Sequence, residues 1–311
     1  MSLVVLFLVA ALVILAALVS ATVRESLRPA RRATGWALGV GWPLDPEAVG
    51  CRYESWELDR PGGVRLPIWD VEGDRTDGPV LVLIHGFGRS RLTWLPHLAE
   101  WRARASRVLM IDLRGHGEAM PDGSGLGDTD VPDVIELVRR VSEAEGPHGP
   151  IVLIGRSLGA SVGILAAGES ELVDGVIAVA PYETLAVPLS NRIRLRGLPT
   201  RLVVPISILV LSMLGRRSRS TTAAASGMTV PLLVVQGGCD QISPPEDARK
   251  IADAAPKSRF ELVAGAGHGD HWDREPERLD AAVDEFLRGL GSTGLEHSSV
   301  GPAGADSDRD G

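Results

Sequence analysis

Two cysteines, Cys51 and Cys239, are all that the 311-residue chain holds. A disulfide-rich scaffold and any cysteine-based zinc site are therefore excluded, and Cys239 reads as a small buried filler. Lysine is almost missing too: Lys250 and Lys257 stand against 30 arginines. Positive charge is in deficit overall, with 32 basic against 40 acidic residues and a formal net charge of −8. That balance argues against nucleic acid as a partner, because a nucleic-acid-binding domain looks basic. The chain shows no metal-ligand cluster, phosphate loop or dinucleotide fingerprint, so neither metal nor cofactor is expected. No internal repeat is found.

Two further absences are local. Ser2 to Val23 carries no charge and is rich in Leu, Val, Ala and Ile. As a helix it would span roughly 33 Å, enough for the hydrocarbon core of a bilayer. A signal peptide would want basic residues before the apolar run, and only the initiator methionine precedes it. An uncleaved single-pass anchor over residues 1–23 is expected; cleavage near Val19-Ser20-Ala21, followed by secretion, is the alternative. Arg24, Arg28, Arg31 and Arg32 follow the span against a single Glu25. The positive-inside rule then puts the body of the protein in the cytoplasm. Trp36 and Trp42 lie either at the headgroup level or on the domain. Residues 24–50 read as a basic juxtamembrane segment and a Pro/Gly linker.

Between Thr184 and Thr229 acidic residues are missing. Arg192, Arg194, Arg196, Arg201, Arg216, Arg217 and Arg219 make this stretch +7, which leaves −15 for the rest of the chain. Its centre, Leu202 to Leu214, is an apolar run broken by Pro205 and too short to cross a bilayer alone. Residues 184–229 are thus an insertion with its own character. At the far end, residues 291–311 are rich in Gly, Ser and Asp and read as a disordered tail.

The remainder alternates strand and helix patterns, the signature of an α/β fold with a mostly parallel sheet and helices on both faces. Residues 51–60 and 65–73 flank Pro61-Gly62-Gly63 and read as an antiparallel hairpin. Apolar runs at 79–85, 107–112, 151–155, 175–180 and 231–236 fit strands buried on both faces, and 259–264 fits a weaker strand nearer an edge. Helical spacing appears at Val131, Val134, Ile135, Val138 and Val141 after Asp130 as N-cap, and at Leu279, Val283, Phe286 and Leu287 after Pro276.

Each chemical candidate falls just past the C-terminal end of a strand, where open α/β sheets place their sites. Gly155-Arg156-Ser157-Leu158-Gly159 fits G-x-S-x-G between a strand and a helix, a tight turn that exposes the serine hydroxyl. Serine needs a base, and His268 in the loop after the last strand is preferred over His271. An acid must then fix the imidazole's tautomer. Asp240 is preferred over Glu183 and Asp270, giving the order Ser157, Asp240, His268. An oxyanion hole needs two backbone N–H groups. Leu158, after the nucleophile, and Phe87, in the loop His85-Gly86-Phe87-Gly88, are expected to supply them. His85 reads as structural, holding that loop, and Gly123–Gly127 as a flexible loop.

The runs HGFG (85–88), DLRGHGEA (112–119), GRSLGA (155–160), GGCDQISPP (237–245) and GAGHGD (265–270) resemble the α/β-hydrolase superfamily, in the flavour of its esterase, lipase and serine-aminopeptidase-like branches. The resemblance covers roughly residues 51–290 and implies a core of 51–183 and 230–290. It also implies a cap or lid inserted after the sixth strand, matching 184–229 and lining an acyl-binding cleft. His116 would belong to a structural turn. Relatives that are dehalogenases use an Asp nucleophile, which Ser157 replaces; cofactor-free haloperoxidases share the triad.

The expected function is a membrane-anchored serine hydrolase cleaving an ester or thioester of a small apolar or acyl substrate. Amide cleavage by a serine-aminopeptidase-like enzyme and a non-catalytic tethered scaffold are the alternatives. The bilayer is the expected partner through residues 2–23; the cap run 202–214 either docks on the anionic inner leaflet as well or only lines the substrate cleft and packs on the core.

Overall fold

Short apolar runs bounded by glycine, proline or polar residues can bury both faces only at the middle of a sheet. The computed structural model, which describes residues 2–120, 123–144 and 149–293, gathers them into one eight-stranded sheet. The strands are β1 (Tyr53–Arg60), β2 (Val64–Glu72), β3 (Val80–Ile84), β4 (Arg107–Ile111), β5 (Ile151–Arg156), β6 (Gly175–Val179), β7 (Leu232–Gly237) and β8 (Ser258–Val263). Their order is β1-β2-β4-β3-β5-β6-β7-β8. The hairpin β1–β2 and the β2–β4 pair are antiparallel, and every later pair is parallel. This is the α/β-hydrolase arrangement that the motifs imply.

Period-two alternation divides the core. Val80, Val82 and Ile84 point to one face, and Leu81 and Leu83 to the other. The first face is covered by helices Val131–Ser142, Leu158–Ala167 and Pro245–Ala254, the second by residues 91–102 and helix Pro276–Thr293. Each fully buried aliphatic side chain contributes about 1.5–3 kcal/mol. β8, at the edge, is mostly half-buried. Asp130 stands at the N-cap of Val131–Ser142, but its carboxylate does not cap that helix; it accepts from Gly127 N at 2.8 Å.

The insertion between β6 and β7 forms three helices, Ala186–Leu195, Thr200–Met213 and Thr221–Ser226. Pro205 sits inside the second without ending it, contrary to the break expected there. The N-terminal helix, Leu3–Leu27, is long and apolar enough to cross a membrane and runs past residue 23. Its first half is bare, with Leu3, Phe7 and Leu12 among the most exposed residues. Its second half packs on the cap: Val19 and Val23 are buried with Val203, Val204 and Leu211. Glu25 pairs with Arg196 through both oxygens, one of them at 2.6 Å.

The stretch after the N-terminal helix is built into the body. Helix Thr34–Val40 buries Ala37 completely, and the Trp42 indole donates to Leu92 O. Trp36 stacks at a tilt on Trp42, so both tryptophans lie on the domain. The loop around Gly123–Gly127 is clamped rather than free: Ser124 N donates to Leu27 O at 2.8 Å, and Arg216 Nε donates to Ser124 O. The C-terminal helix reaches Thr293; the rest of the expected tail, 294–311, lies outside the described residues.

Candidate active site

β5 ends at Arg156, and the next helix starts at Leu158, so a single residue must turn the chain. Ser157 does this at φ 52°, ψ −109°, a conformation that costs a non-glycine residue about 1–3 kcal/mol. The flanking glycines are dictated by contact. A Cβ on Gly155 would overlap the backbone of Gly159, and one on Gly159 would overlap the carbonyl of Ile84. With both absent, the helix N-terminus rides directly over the end of β3 and holds Ser157 Oγ at the sheet's carboxyl edge.

His268 and Asp240 come from the loops after β8 and β7, and the structure brings both to the serine. Ser157 Oγ lies 3.0 Å from His268 Nε2, and His268 Nδ1 lies 2.7 Å from Asp240 Oδ2. Burial would push the Asp240 carboxyl up, but the imidazole and the amides of Ser243 and Ile242 outweigh it and hold the carboxyl below its ordinary value. Gln236, at the end of β7, also donates to Asp240 Oδ2, at 3.3 Å. An ionised, fully hydrogen-bonded acid fixes the proton on Nδ1 and leaves Nε2 free to accept from the serine hydroxyl.

The competing residues have other work. Glu183 accepts from Ser220 Oγ and Thr222 N, tying down the third cap helix. Asp270 accepts from Gly267 N at 2.7 Å and shapes the His268 loop. His271 is fully buried with neither ring nitrogen hydrogen-bonded, and burial pushes its pKa down to about 4. Cys239, expected as a buried filler, is exposed: it sits in the turn after β7, outside the core.

The loop after β3 faces the serine. Gly86 approaches so closely that a Cβ there would lie 3.2 Å from Arg156 O and 3.6 Å from Ser157 Cβ. Gly88 takes φ +70° in the following turn, where glycine is favoured. His85 is wholly buried and holds this loop: Leu113 N donates to its Nε2 at 3.0 Å, so the proton belongs on Nδ1 and is donated to Gly86 O. Burial lowers the pKa to about 4 and keeps this ring neutral. His116, its neighbour at 5.0 Å, is pushed to about 3 for the same reason, and its Nδ1 faces Arg114 O within the turn. Among the described residues, the Phe87 and Leu158 amides have no protein acceptor.

Two cavities meet at Ser157. One lies under the cap and is lined by Leu126, Leu158, Leu185, Leu189 and Ile193, with Thr22, Glu25 and Ser26 of the N-terminal helix as its far wall. The other is a wide groove lined by Trp36, Trp42, Phe87, His97 and His268 together with Arg32, Arg89, Arg156 and Arg192. Sequence reasoning missed the N-terminal helix as a wall and Arg192 as a site residue. For the helix, the lone Glu25 set against an acid-free cap rich in arginine was the available signal.

An α/β-hydrolase family model matches residues 81–220, and a TAP-like protein model matches residues 213–293. Protein phosphatase methylesterase 1 of Bos taurus is 30% identical over 186 residues, 57% of this chain. The chain spans 47% of that relative's length. An uncharacterized membrane protein of Saccharomyces cerevisiae is 27% identical over 257 residues, covering 76% of this chain and 84% of that one. An esterase of Pyrococcus furiosus has the same fold, with a TM-score of 0.68 and 20% identity over 85% of this chain and all of its own.

Proposed function

This chain belongs to the α/β-hydrolase superfamily, and from that premise we propose that it is a serine hydrolase of apolar acyl esters or thioesters, held at a membrane by its N-terminal helix. The observation that carries the reading is the unbroken line Ser157 Oγ, His268 Nε2, His268 Nδ1, Asp240 Oδ2, with links of 3.0 and 2.7 Å. Ser157 Oγ attacks the acyl carbonyl while His268 takes its proton. The developing oxyanion is received by the free amides of Phe87 and Leu158, the second at a helix N-terminus. His268 returns the proton to the leaving group, and water then releases the acyl-enzyme as a carboxylic acid. The leucine-lined cavity suits the acyl chain.

Anchoring is supported by the bare apolar half of helix Leu3–Leu27 and by a stripe on the cap. Leu202, Ile206, Leu209 and Met213 are exposed along one side of helix Thr200–Met213, on a cap that also exposes Arg194 and Arg201. Apolar residues flanked by arginine suit the anionic face of a leaflet. By the positive-inside rule, Arg24 and Arg28 favour the cytoplasmic side for the catalytic body. A fluorophosphonate probe tests the catalytic reading. Folded wild-type protein is expected to be labelled and Ser157→Ala is not; no labelling of the wild type, or equal labelling of both, refutes it.

A further inference from the structure

The wide groove beside Ser157 has an unusual wall. Arg32, Arg89, Arg156 and Arg192 line it, and among the described residues no aspartate or glutamate does, in a chain whose net charge is −8. Among the described residues none of the four forms an ion pair, although most arginines of the body do. Arg192 is the least accommodated. It lies on helix Ala186–Leu195, half-buried, with its guanidinium 4.7 Å from the Phe87 ring centre. Among the described residues no hydrogen bond holds its guanidinium, and Glu25 has both oxygens on Arg196. Burial lowers its pKa, and the charges of Tyr182 and of Glu25, which is hydrogen-bonded to Arg196 instead, offset that only in part.

Arg192 lines both cavities that meet at the serine. His268 lines only the wide one, and the general acid must reach the leaving oxygen or sulfur, so the leaving group departs into that groove. We propose that the groove is a leaving-group subsite for an anion, in which Arg192 receives a carboxylate or phosphate carried on the alcohol or thiol part of the substrate. The inference rests on the hydrolase reading and extends it to a substrate class: an apolar acyl chain on one side of the scissile bond and negative charge on the other. A guanidinium held over an aromatic ring keeps its N–H edge open to the bidentate contact that such anions make.

The test compares two soluble octanoyl esters: p-nitrophenyl octanoate and the nitrobenzoate analogue bearing a carboxylate on the leaving phenol. Arg192→Gln is expected to lower kcat/KM for the anionic ester about tenfold to a hundredfold more than for the neutral ester. Arg192→Lys should recover part of the loss, and the exposed Arg89→Gln should show a smaller loss of the same sign. Equal loss on both esters, or loss on neither, overturns the proposal. Calorimetric binding of octyl phosphate against octanol to Ser157→Ala reads the groove without turnover, and so separates failure of this subsite from failure of the hydrolase reading. If Arg192→Gln on that background leaves octyl phosphate affinity unchanged, there is no anion site, whatever the probe labelling shows. Offering lysophosphatidate in vesicles alongside the free ester distinguishes a lipid headgroup from a soluble anion; selective loss in either arm supports the site.

Discussion

Adding one methyl group to Gly159 should damage this protein more than adding one to Gly163, although both glycines lie in helix Leu158–Ala167. At Gly159 the new Cβ would overlap Ile84 O and lie 2.7 Å from the Ile84 carbonyl carbon and 2.8 Å from His85 O, against 3.4 Å for ordinary contact. All three are backbone atoms of β3 and its following loop, so no side chain can swing aside. Helix and strand must part by about 1 Å to clear the tightest of these contacts, an overpacking strain of about 3 kcal/mol. For a body of this size that is a fall in Tm of about 6–12 °C. The same parting moves Ser157 away from the Phe87 loop, and misplacement on that scale costs about tenfold to a hundredfold in turnover. At Gly163 the new Cβ would sit 3.6 Å from Leu153 Cβ and Val176 Cγ1, in ordinary contact. Removing a helix-interior glycine there should stabilise by about 0.5–1 kcal/mol. Melting by circular dichroism and turnover of p-nitrophenyl octanoate measure both variants. A Gly159→Ala protein as stable and active as wild type, or a Gly163→Ala protein as damaged as Gly159→Ala, would refute the close-approach argument.

Asp240→Asn should cut turnover by about four orders of magnitude by spoiling the imidazole tautomer, whereas Glu183→Gln and Asp270→Asn stay within about tenfold. A large loss from Glu183→Gln alone would hand the acid's role to that residue. Removing residues 2–14 should abolish firm retention on vesicles in flotation yet spare turnover of a soluble ester, because Val19, Val23 and Ser26 stay packed. The shortened protein should still prefer anionic over zwitterionic vesicles and lose that preference with Leu202→Ser and Leu209→Ser together; indifference to anionic lipid from the outset would sink cap docking.

The five central strands, β3 to β7, were legible because each is a short apolar run with punctuation at its ends, and burial on both faces leaves no other use for such a run; β1 and β2 were legible from the turn Pro61-Gly62-Gly63 between them. Ser157, Asp240 and His268 were legible because strand ends bring them to one edge. Less could be read where long-range contact overrides local pattern. Residues 24–50 look like a juxtamembrane segment and linker by composition, yet Ala37 joins the core of the body and Trp42 finds a partner fifty residues away. Cys239 looks like core by residue type, but the turn that presents Asp240 lifts its neighbour into solvent. Arg192 gave no local signal, since its meaning comes from Phe87, more than a hundred positions earlier.

Helix Leu3–Leu27 also sets a depth. Val23 closes the uncharged run, and Ser26, only three residues on, already walls the cavity beside Ser157. At 1.5 Å per residue that interval is about 4.5 Å, less than one helical turn. On the anchored reading, the serine thus works at the skin of the leaflet, within reach of molecules that never dissolve in the surrounding water. Its effective substrate concentration is then a mole fraction among lipids, and diluting the surface with inert lipid slows it while diluting the buffer does not.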